Sequence, residues 1–309
     1  MITRRNVITL LSTFSLVSAA SPLAAQGDER VRVTATFSIL ADLVRQVGGD
    51  RVEVTALVGP DGDGHVYSPT PADARRLAQA RLVVTNGLGF EGWINRLVRS
   101  SGTKAPVIEA ARGVKTLKAA DDHGHGHSHG HSHGNVDPHA WQDVANVKRY
   151  VATIRDALAK ADPAGAEAYR ARAEAFLAEL DALDGEIRAA VAALPKERRR
   201  VITSHDSFAY FEAAYGLDFV APQGVSTEAE ASARDVARII QQVRREGIRA
   251  VFLENVSDPR LIERIAKDTG ATVGGRLYSD ALSGPDGPAP TYIDMMRHNI
   301  RTISQALSS

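Results

Sequence analysis

Residues 163–194 read PAGAEAYRARAEAFLAELDALDGEIRAAVAAL. Apolar or aromatic side chains recur there every three or four residues, at Tyr169, Ala173, Phe176, Leu180, Leu183, Ile187, Val191 and Leu194. This spacing predicts one long helix with a single apolar seam, opened by a proline in its first turn. At 1.5 Å per residue the helix would extend on the order of 45 Å, and we interpret it as a rigid connector between two domains. The alternative is a coiled-coil dimer helix, for which the seam is short and rich in alanine.

Strands and helices alternate on both sides of this connector. The strand patterns of the first half lie at 31–36, 52–58, 82–85 and near Val107, and those of the second half at 201–203, 217–220, 250–254 and 271–273. Helical patterns separate them, and this alternation is typical of parallel sheets covered by helices. We therefore predict an α/β fold with two lobes, 26–162 and 195–309, each with a parallel four-stranded sheet flanked by helices, joined by the helix at 163–194.

Charge and cysteine content exclude several classes of function. The 309 residues include 37 basic and 37 acidic side chains, so the chain lacks the basic excess that nucleic-acid binding requires. It contains no cysteine, which rules out disulfides, thiolate nucleophiles, iron–sulfur clusters and cysteine-ligated zinc. Any metal site must therefore use imidazole and carboxylate groups.

The first 25 residues have the pattern of an export signal. Arg4 and Arg5 precede an apolar stretch at 7–20, and small residues surround Ala24 and Ala25. The residues leave open whether export is by the general or the twin-arginine route. Without a cysteine to acylate, and with no later stretch near the roughly 20 apolar residues of a spanning helix, we expect a soluble periplasmic protein without a lipid anchor.

Residues 121–134, DDHGHGHSHGHSHG, place a histidine at every second position: His123, His125, His127, His129, His131 and His133. Glycine and serine between them cannot build a core, so we expect a mobile loop. Neutral imidazole is a good zinc ligand, and such flexible spacing predicts weak, interchangeable metal sites. An inert solvated linker is the alternative.

The remaining histidines are His65, His139, His205 and His298. The first three lie where strands or turns give way to helices, which is where ligands bind in open α/β sheets. Each of them also has a plain interpretation as a helix-capping or core histidine, and spacing alone does not show that they meet. His298 lies within the last predicted helix, where a structural role is simplest. Asp143 can cap the helix that follows His139.

Six motifs in one order carry a resemblance that covers essentially the whole mature chain: GHVYSPTP (64–71), NGLGFEGW (86–93), VDPHAW (136–141), TSHDSFAYF (203–211), FLENVSDP (252–259) and GGRLYSDALS (274–283). With them, the chain resembles the substrate-binding proteins of metal-importing ABC transporters, in particular the zinc branch with its ZnuA-like and AztC-like members. The resemblance implies two α/β lobes joined by a long helix, with one metal ion in the cleft between them. It implies His65 and His139 as ligands from the first lobe, and His205 and Asp280 from the second.

Such a ligand set suits capture of Zn²⁺. Three imidazoles and a carboxylate would complete a tetrahedral shell, whereas a catalytic zinc keeps a position open for water. No HExxH or GxSxG motif is present, so we expect a binding protein and not an enzyme. In relatives thought to carry manganese a carboxylate replaces the third histidine, and His205 here favours zinc. The alternative for Asp280 is a turn-forming role. For Asp61 and Asp63 a turn role is favoured, and the alternatives are that they orient His65 or serve as a reserve carboxylate.

The implied partner is an ABC membrane permease, with a periplasmic metallochaperone as a further partner, and we expect a monomer. The predicted function is delivery of Zn²⁺ for uptake, with one tight cleft site and weaker sites in the loop. A manganese-specific protein of the same family and a periplasmic zinc buffer or chaperone are the alternatives. Because ligation needs neutral histidines, binding should weaken as the pH falls through about 6.5.

Overall fold

The computed structural model describes residues 30–119 and 136–308. The predicted export signal at 1–25 and the histidine-rich stretch at 121–134 lie outside these residues. Within the described part of the chain, no helix is both long and apolar enough to cross a membrane.

The first sheet consists of four parallel strands in the order β2-β1-β3-β4: β1 (Val31–Phe37), β2 (Val52–Val58), β3 (Leu82–Thr85) and β4 (Val107–Glu109). The central strands β1 and β3 are almost entirely buried, as parallel strands covered on both faces must be. The helices of this lobe are α1 (Ser38–Gly48), α2 (Pro71–Gln79), α3 (Ile94–Ser101) and α4 (Val144–Ala161).

The long helix α5 (Ala166–Ala192) follows a 3-10 turn at Pro163–Gly165. The predicted apolar seam is buried along its whole length, from Tyr169 to Val191. It packs on α1 and α4 and on a later helix, α9 (Tyr292–Ser308). The seam is therefore covered by the chain's own helices, and the coiled-coil alternative is wrong.

The second sheet repeats the strand order of the first, as β6-β5-β7-β8: β5 (Arg200–Ile202), β6 (Asp218–Val220), β7 (Ala250–Glu254) and β8 (Thr272–Leu277). Its helices are α6 (Ala209–Tyr215), α7 (Ala233–Glu246), α8 (Pro259–Thr269) and α9. The predicted α/β class, with two parallel four-stranded sheets flanked by helices and a long helix between them, is confirmed.

The main departure from the predicted elements is strand β8. The sequence indicated a strand at 271–273, but the strand continues to Leu277 after a shift in its register with β7. Gly274 and Gly275 interrupt the apolar pattern there, and glycine in a strand weakens the sequence signal. Gly275 has a φ of 136°, which only glycine adopts without strain. This irregular strand ends close to Asp280.

Candidate metal site

Four predicted ligands lie together between the two sheets. Ligand atoms of His65, His139, His205 and Asp280 all lie within 4.8 Å of one another. Three of the side chains are fully buried, and His65 is 7% exposed. His65, His205 and Asp280 follow the carboxyl ends of β2, β5 and β8, which is where α/β sheets bind ligands, and His139 directly precedes a 3-10 turn at Ala140–Gln142.

The three imidazole rings direct Nε2 toward the carboxylate of Asp280. The distances from its oxygens are 3.1 Å to His205 Nε2, 3.4 Å to His65 Nε2 and 3.6 Å to His139 Nε2. His65 Nε2 lies 3.2 Å from His139 Nε2. A tetrahedral ion with Zn–N bonds of 2.0–2.1 Å separates its ligand atoms by about 3.3–3.4 Å, so this spacing fits a small tetrahedral cation.

His65 is carried on a loop with several fixed points. Asp63 Oδ1 accepts a hydrogen bond of 2.8 Å from the His65 backbone amide. Trp93 Nε1 donates to the carbonyl of Gly64 at 2.8 Å, and a Cβ on Gly64 would lie 2.6 Å from the ring of Phe90. An aspartate side chain that accepts from the amide two residues further on forms an Asx turn, so the structure shows the turn role for Asp63.

The loop ends where helix α2 begins. Thr70 and Asp73 form a capping box at the start of α2, and Tyr67 also donates to Asp73. These bonds fix the chain as it leaves His65. Asp61, on the other side of the loop, has a φ of 53°, and its amide donates to the carbonyl of Leu282. Asp61 therefore has the turn role.

His139 lies directly before the 3-10 turn Ala140–Gln142. Asp137 Oδ1 lies 2.8 Å from its Nδ1 and accepts from its backbone amide. A carboxylate at Nδ1 keeps the proton on that atom and leaves Nε2 free for a metal. As predicted, Asp143 caps the helix that follows, accepting from the amide of Ala145.

A second buried carboxylate supports His205 in the same way. Glu254 Oε2 lies 2.8 Å from His205 Nδ1, and its Oε1 accepts from the backbone amides of Ser204 and His205. The sequence reasoning missed both supporting carboxylates. The available signals were an acid two residues before His139 and a charged residue at the buried end of β7.

Charges inside the site shift the acid–base equilibria of its members. Burial disfavours the charged form of Asp280, but the charges of His205 and His139 outweigh it and hold its pKa well below the usual range. Burial also opposes protonation of His139, yet Asp280 and Asp137 raise its pKa to about 9. Burial is likewise outweighed at His205, where Glu254 and Asp280 raise the pKa well above its ordinary value. Burial lowers the pKa of His65.

The other predicted residues lie apart from this group or outside the described chain. Nε2 of His298 lies 2.9 Å from the carbonyl of Arg276, which agrees with a structural role. The loop histidines, His123 to His133, lie outside the described residues. Lys118 and Val136, on either side of that stretch, form an antiparallel bridge. Val136 lies three positions before His139.

A buried group of three imidazoles and one carboxylate, between two α/β lobes with a long helix beside them, defines a metal-capturing binding protein. The family model described as "Zinc-uptake complex component A periplasmic" (ZnuA) matches residues 33–306. The chain belongs to this family, which consists of solute-binding transport proteins that deliver metal to an ABC permease.

Individual relatives are named for different metals. The manganese-binding lipoprotein MntA of Halalkalibacterium halodurans is 34% identical over 280 residues, covering 91% of this chain and 89% of MntA. The iron-binding protein YfeA of Yersinia pestis is 31% identical over 303 residues, covering 97% and 94% of the two chains. The structure of the periplasmic zinc binding protein TroA from Treponema pallidum matches with a TM-score of 0.82 at 29% identity, over 90% of this chain and 99% of TroA.

Proposed function

We propose that the protein captures Zn²⁺ in the periplasm through His65, His139, His205 and Asp280 and releases it to the permease of an ABC importer. The observation that supports this most directly is the convergence of three Nε2 atoms on the carboxylate of Asp280, at 3.1–3.6 Å. All four groups are protein ligands, so they would fill a tetrahedral shell and leave no position for a reacting water.

The donor set supports zinc as the cargo. Imidazole nitrogen suits zinc, copper and nickel, while manganese prefers carboxylate, carbonyl and water oxygen. Three of the four proposed ligands are nitrogens, and two of those rings have a buried carboxylate at Nδ1 that raises their basicity. A manganese cargo is the second candidate, because the relative MntA is named for that metal.

The histidine-rich stretch at 121–134 has an auxiliary role in this proposal. Its six histidines offer weak sites that collect zinc. The described residues on either side of the stretch, Lys118 and Val136, form a bridge, and Val136 lies three positions before His139. The proposed export signal at 1–25 carries the chain to the periplasm. MntA is named a lipoprotein, whereas the 309 residues here contain no cysteine, which supports a carrier without a lipid anchor. We propose a monomer that also accepts metal from a periplasmic metallochaperone.

A competition titration with Zn²⁺ and Mn²⁺ tests the cargo. Trp141 is fully buried with its ring 5.3 Å from that of His139, so its fluorescence reports on the site. We expect one Zn²⁺ per protein to bind tightly and to resist displacement by excess Mn²⁺. His205→Ala should abolish this binding, whereas His298→Ala, which removes a histidine outside the site, should retain it.

Two results would contradict the proposal. Preferential binding of Mn²⁺ would assign the protein to the manganese alternative. Tight zinc binding combined with failure to restore zinc uptake in cells that lack their own binding protein would support the buffer alternative.

A further inference from the structure

Asp280 follows a strand of the second lobe, but the residue before it is bound to the first lobe. The carbonyl of Ser279 accepts two hydrogen bonds, one of 2.8 Å from Trp141 Nε1 and one of 2.9 Å from Gln142 Nε2. All four residues are fully buried. Both donors belong to the 3-10 turn that follows His139, so one short turn contacts the chain beside two of the proposed ligands.

The side-chain amide of Gln142 has a partner on one of its two polar atoms. Its Nε2 donates to Ser279, but its Oε1 is buried without a hydrogen-bond partner among the described residues. A buried acceptor without a partner lowers the stability of the fold, and an apolar residue of similar size would avoid that loss. The one side-chain hydrogen bond of Gln142 among the described residues is therefore the one to Ser279, beside Asp280.

Trp141 shares the same carbonyl but has further contacts. Its ring packs against Phe37, Phe90 and His139, with centroid distances of 4.9–5.3 Å. These contacts fix the indole, so its N–H has a defined direction toward Ser279. Two donors from different side chains on one carbonyl restrain that carbonyl more closely than either alone.

We propose that Gln142 and Trp141 are positioning residues that hold Asp280 in its place relative to His139. The inference rests on the proposed function, since it assigns a role in metal binding to residues that do not touch the ion. The turn Ala140–Gln142 directly follows His139 and so sets the position of that ligand. Its side chains Trp141 and Gln142 hold Ser279, and therefore also set the position of Asp280. These two ligands then keep their separation when the ion is absent, and the ion meets a preformed pair.

Gln142→Leu is the decisive variant. It removes one bond to Ser279 together with the unpaired Oε1, so the metal-free protein should melt at the same temperature as wild type or higher. Zinc affinity should nevertheless fall by about 10- to 100-fold, the usual effect of removing an outer partner of a metal ligand, and most of the loss should come from faster release. Trp141→Phe, which keeps an aromatic ring, should act in the same direction.

A spectroscopic measurement separates positioning from general damage. Co²⁺ replaces Zn²⁺ in tetrahedral sites, and the intensity of its visible absorption reports the ligand geometry. We expect the Co²⁺ spectrum of Gln142→Leu to differ from wild type. Gln46→Leu is the control, because Gln46 also donates a side-chain amide bond, but to Asp42, which is not one of the four ligands.

The outcomes are distinct. Wild-type zinc affinity together with an unchanged Co²⁺ spectrum in Gln142→Leu would overturn the inference. A lowered melting temperature with an unchanged Co²⁺ spectrum would also overturn it, because that result indicates a structural role alone. If the wild-type protein itself binds no zinc, or binds it equally well after His205→Ala, the proposed function fails and the inference fails with it.

Discussion

Glu254 Oε2 lies 2.8 Å from Nδ1 of His205, and both side chains are completely buried. The same carboxylate accepts hydrogen bonds from the backbone amides of Ser204 and His205, so it fixes the backbone at His205 as well as the imidazole ring. Asp137 has the equivalent position behind His139. Each of these two histidines is therefore held between a supporting carboxylate at Nδ1 and Asp280 at Nε2.

Glu254→Gln should weaken zinc binding by about 10- to 100-fold while the protein stays folded. Glutamine retains an oxygen for the backbone amides but loses the charge that makes His205 a stronger ligand. Chelator competition measures the affinity. Glu186→Gln, which removes an exposed ion pair with Arg297, is the control and should bind like wild type. Equal affinity in the Glu254 and Glu186 variants would contradict a supporting role for Glu254.

Zinc binding should release about two protons at pH 7. The pKa of His139 is raised to about 9 and that of His205 also lies well above its ordinary value, so both rings are protonated in the metal-free protein. The pKa of His65 is lowered, so this ring is already neutral and contributes none. Metal and proton compete for Nε2, and the logarithm of the affinity should rise by about two per pH unit near neutrality.

Calorimetry in buffers of different ionisation enthalpy counts these protons. The sequence alone predicted a loss of affinity as the pH falls through about 6.5. The raised pKa values move the start of this loss upward, to about pH 9 for His139, because Asp280 and Asp137 stabilise its charged form. A release of no protons at pH 7 would contradict this ionic state of the site.

His205→Glu should shift the preference of the site from zinc toward manganese. The change gives two carboxylates and two imidazoles, and a harder oxygen donor favours Mn²⁺ over Zn²⁺. The ratio of the two dissociation constants, measured by competition, is the relevant quantity. His205→Gln, a neutral side chain of similar length, controls for the loss of the ring. An unchanged ratio in His205→Glu would show that the third ligand does not select the metal.

Deletion of residues 121–134 should leave one tight zinc site and remove the weaker ones. The four proposed ligands lie outside this stretch. The hydrogen bond from the backbone amide of Asp137 to the carbonyl of Leu117 also lies outside it. Titration calorimetry with zinc gives the number of ions and their affinities. Loss of the tight site in the deletion variant would refute the separation between collecting loop and binding cleft.

Local patterns in the sequence predicted most of the fold. The seam from Tyr169 to Val191 predicts α5 because apolar residues that recur about every 3.6 positions lie on one face of an α-helix. The bounds of β2, β3 and β7 follow from apolar runs between turn residues. Strand β8 was too short in the prediction because Gly274 and Gly275 carry no side chain that could show a strand pattern.

The site was predictable only in part. The motifs pointed to His65, His139, His205 and Asp280, but residue spacing holds no information on the 3.1 Å between His205 and Asp280. The bonds from Trp141 and Gln142 to Ser279 join positions more than a hundred residues apart, and no local pattern encodes them. Asp137 and Glu254 were missed because a buried carboxylate reveals its partner only after folding.

One buried apolar cluster runs through both lobes, from Val33 in β1 through Leu180 in α5 to Met295 in α9. Neither lobe can be removed without exposing this cluster to water, at a cost that grows with the apolar area uncovered. We therefore expect the two lobes to unfold as one cooperative unit, with a single calorimetric transition on heating. Metal bound at the proposed site between the two sheets would then raise the stability of the whole molecule, and not of one lobe alone.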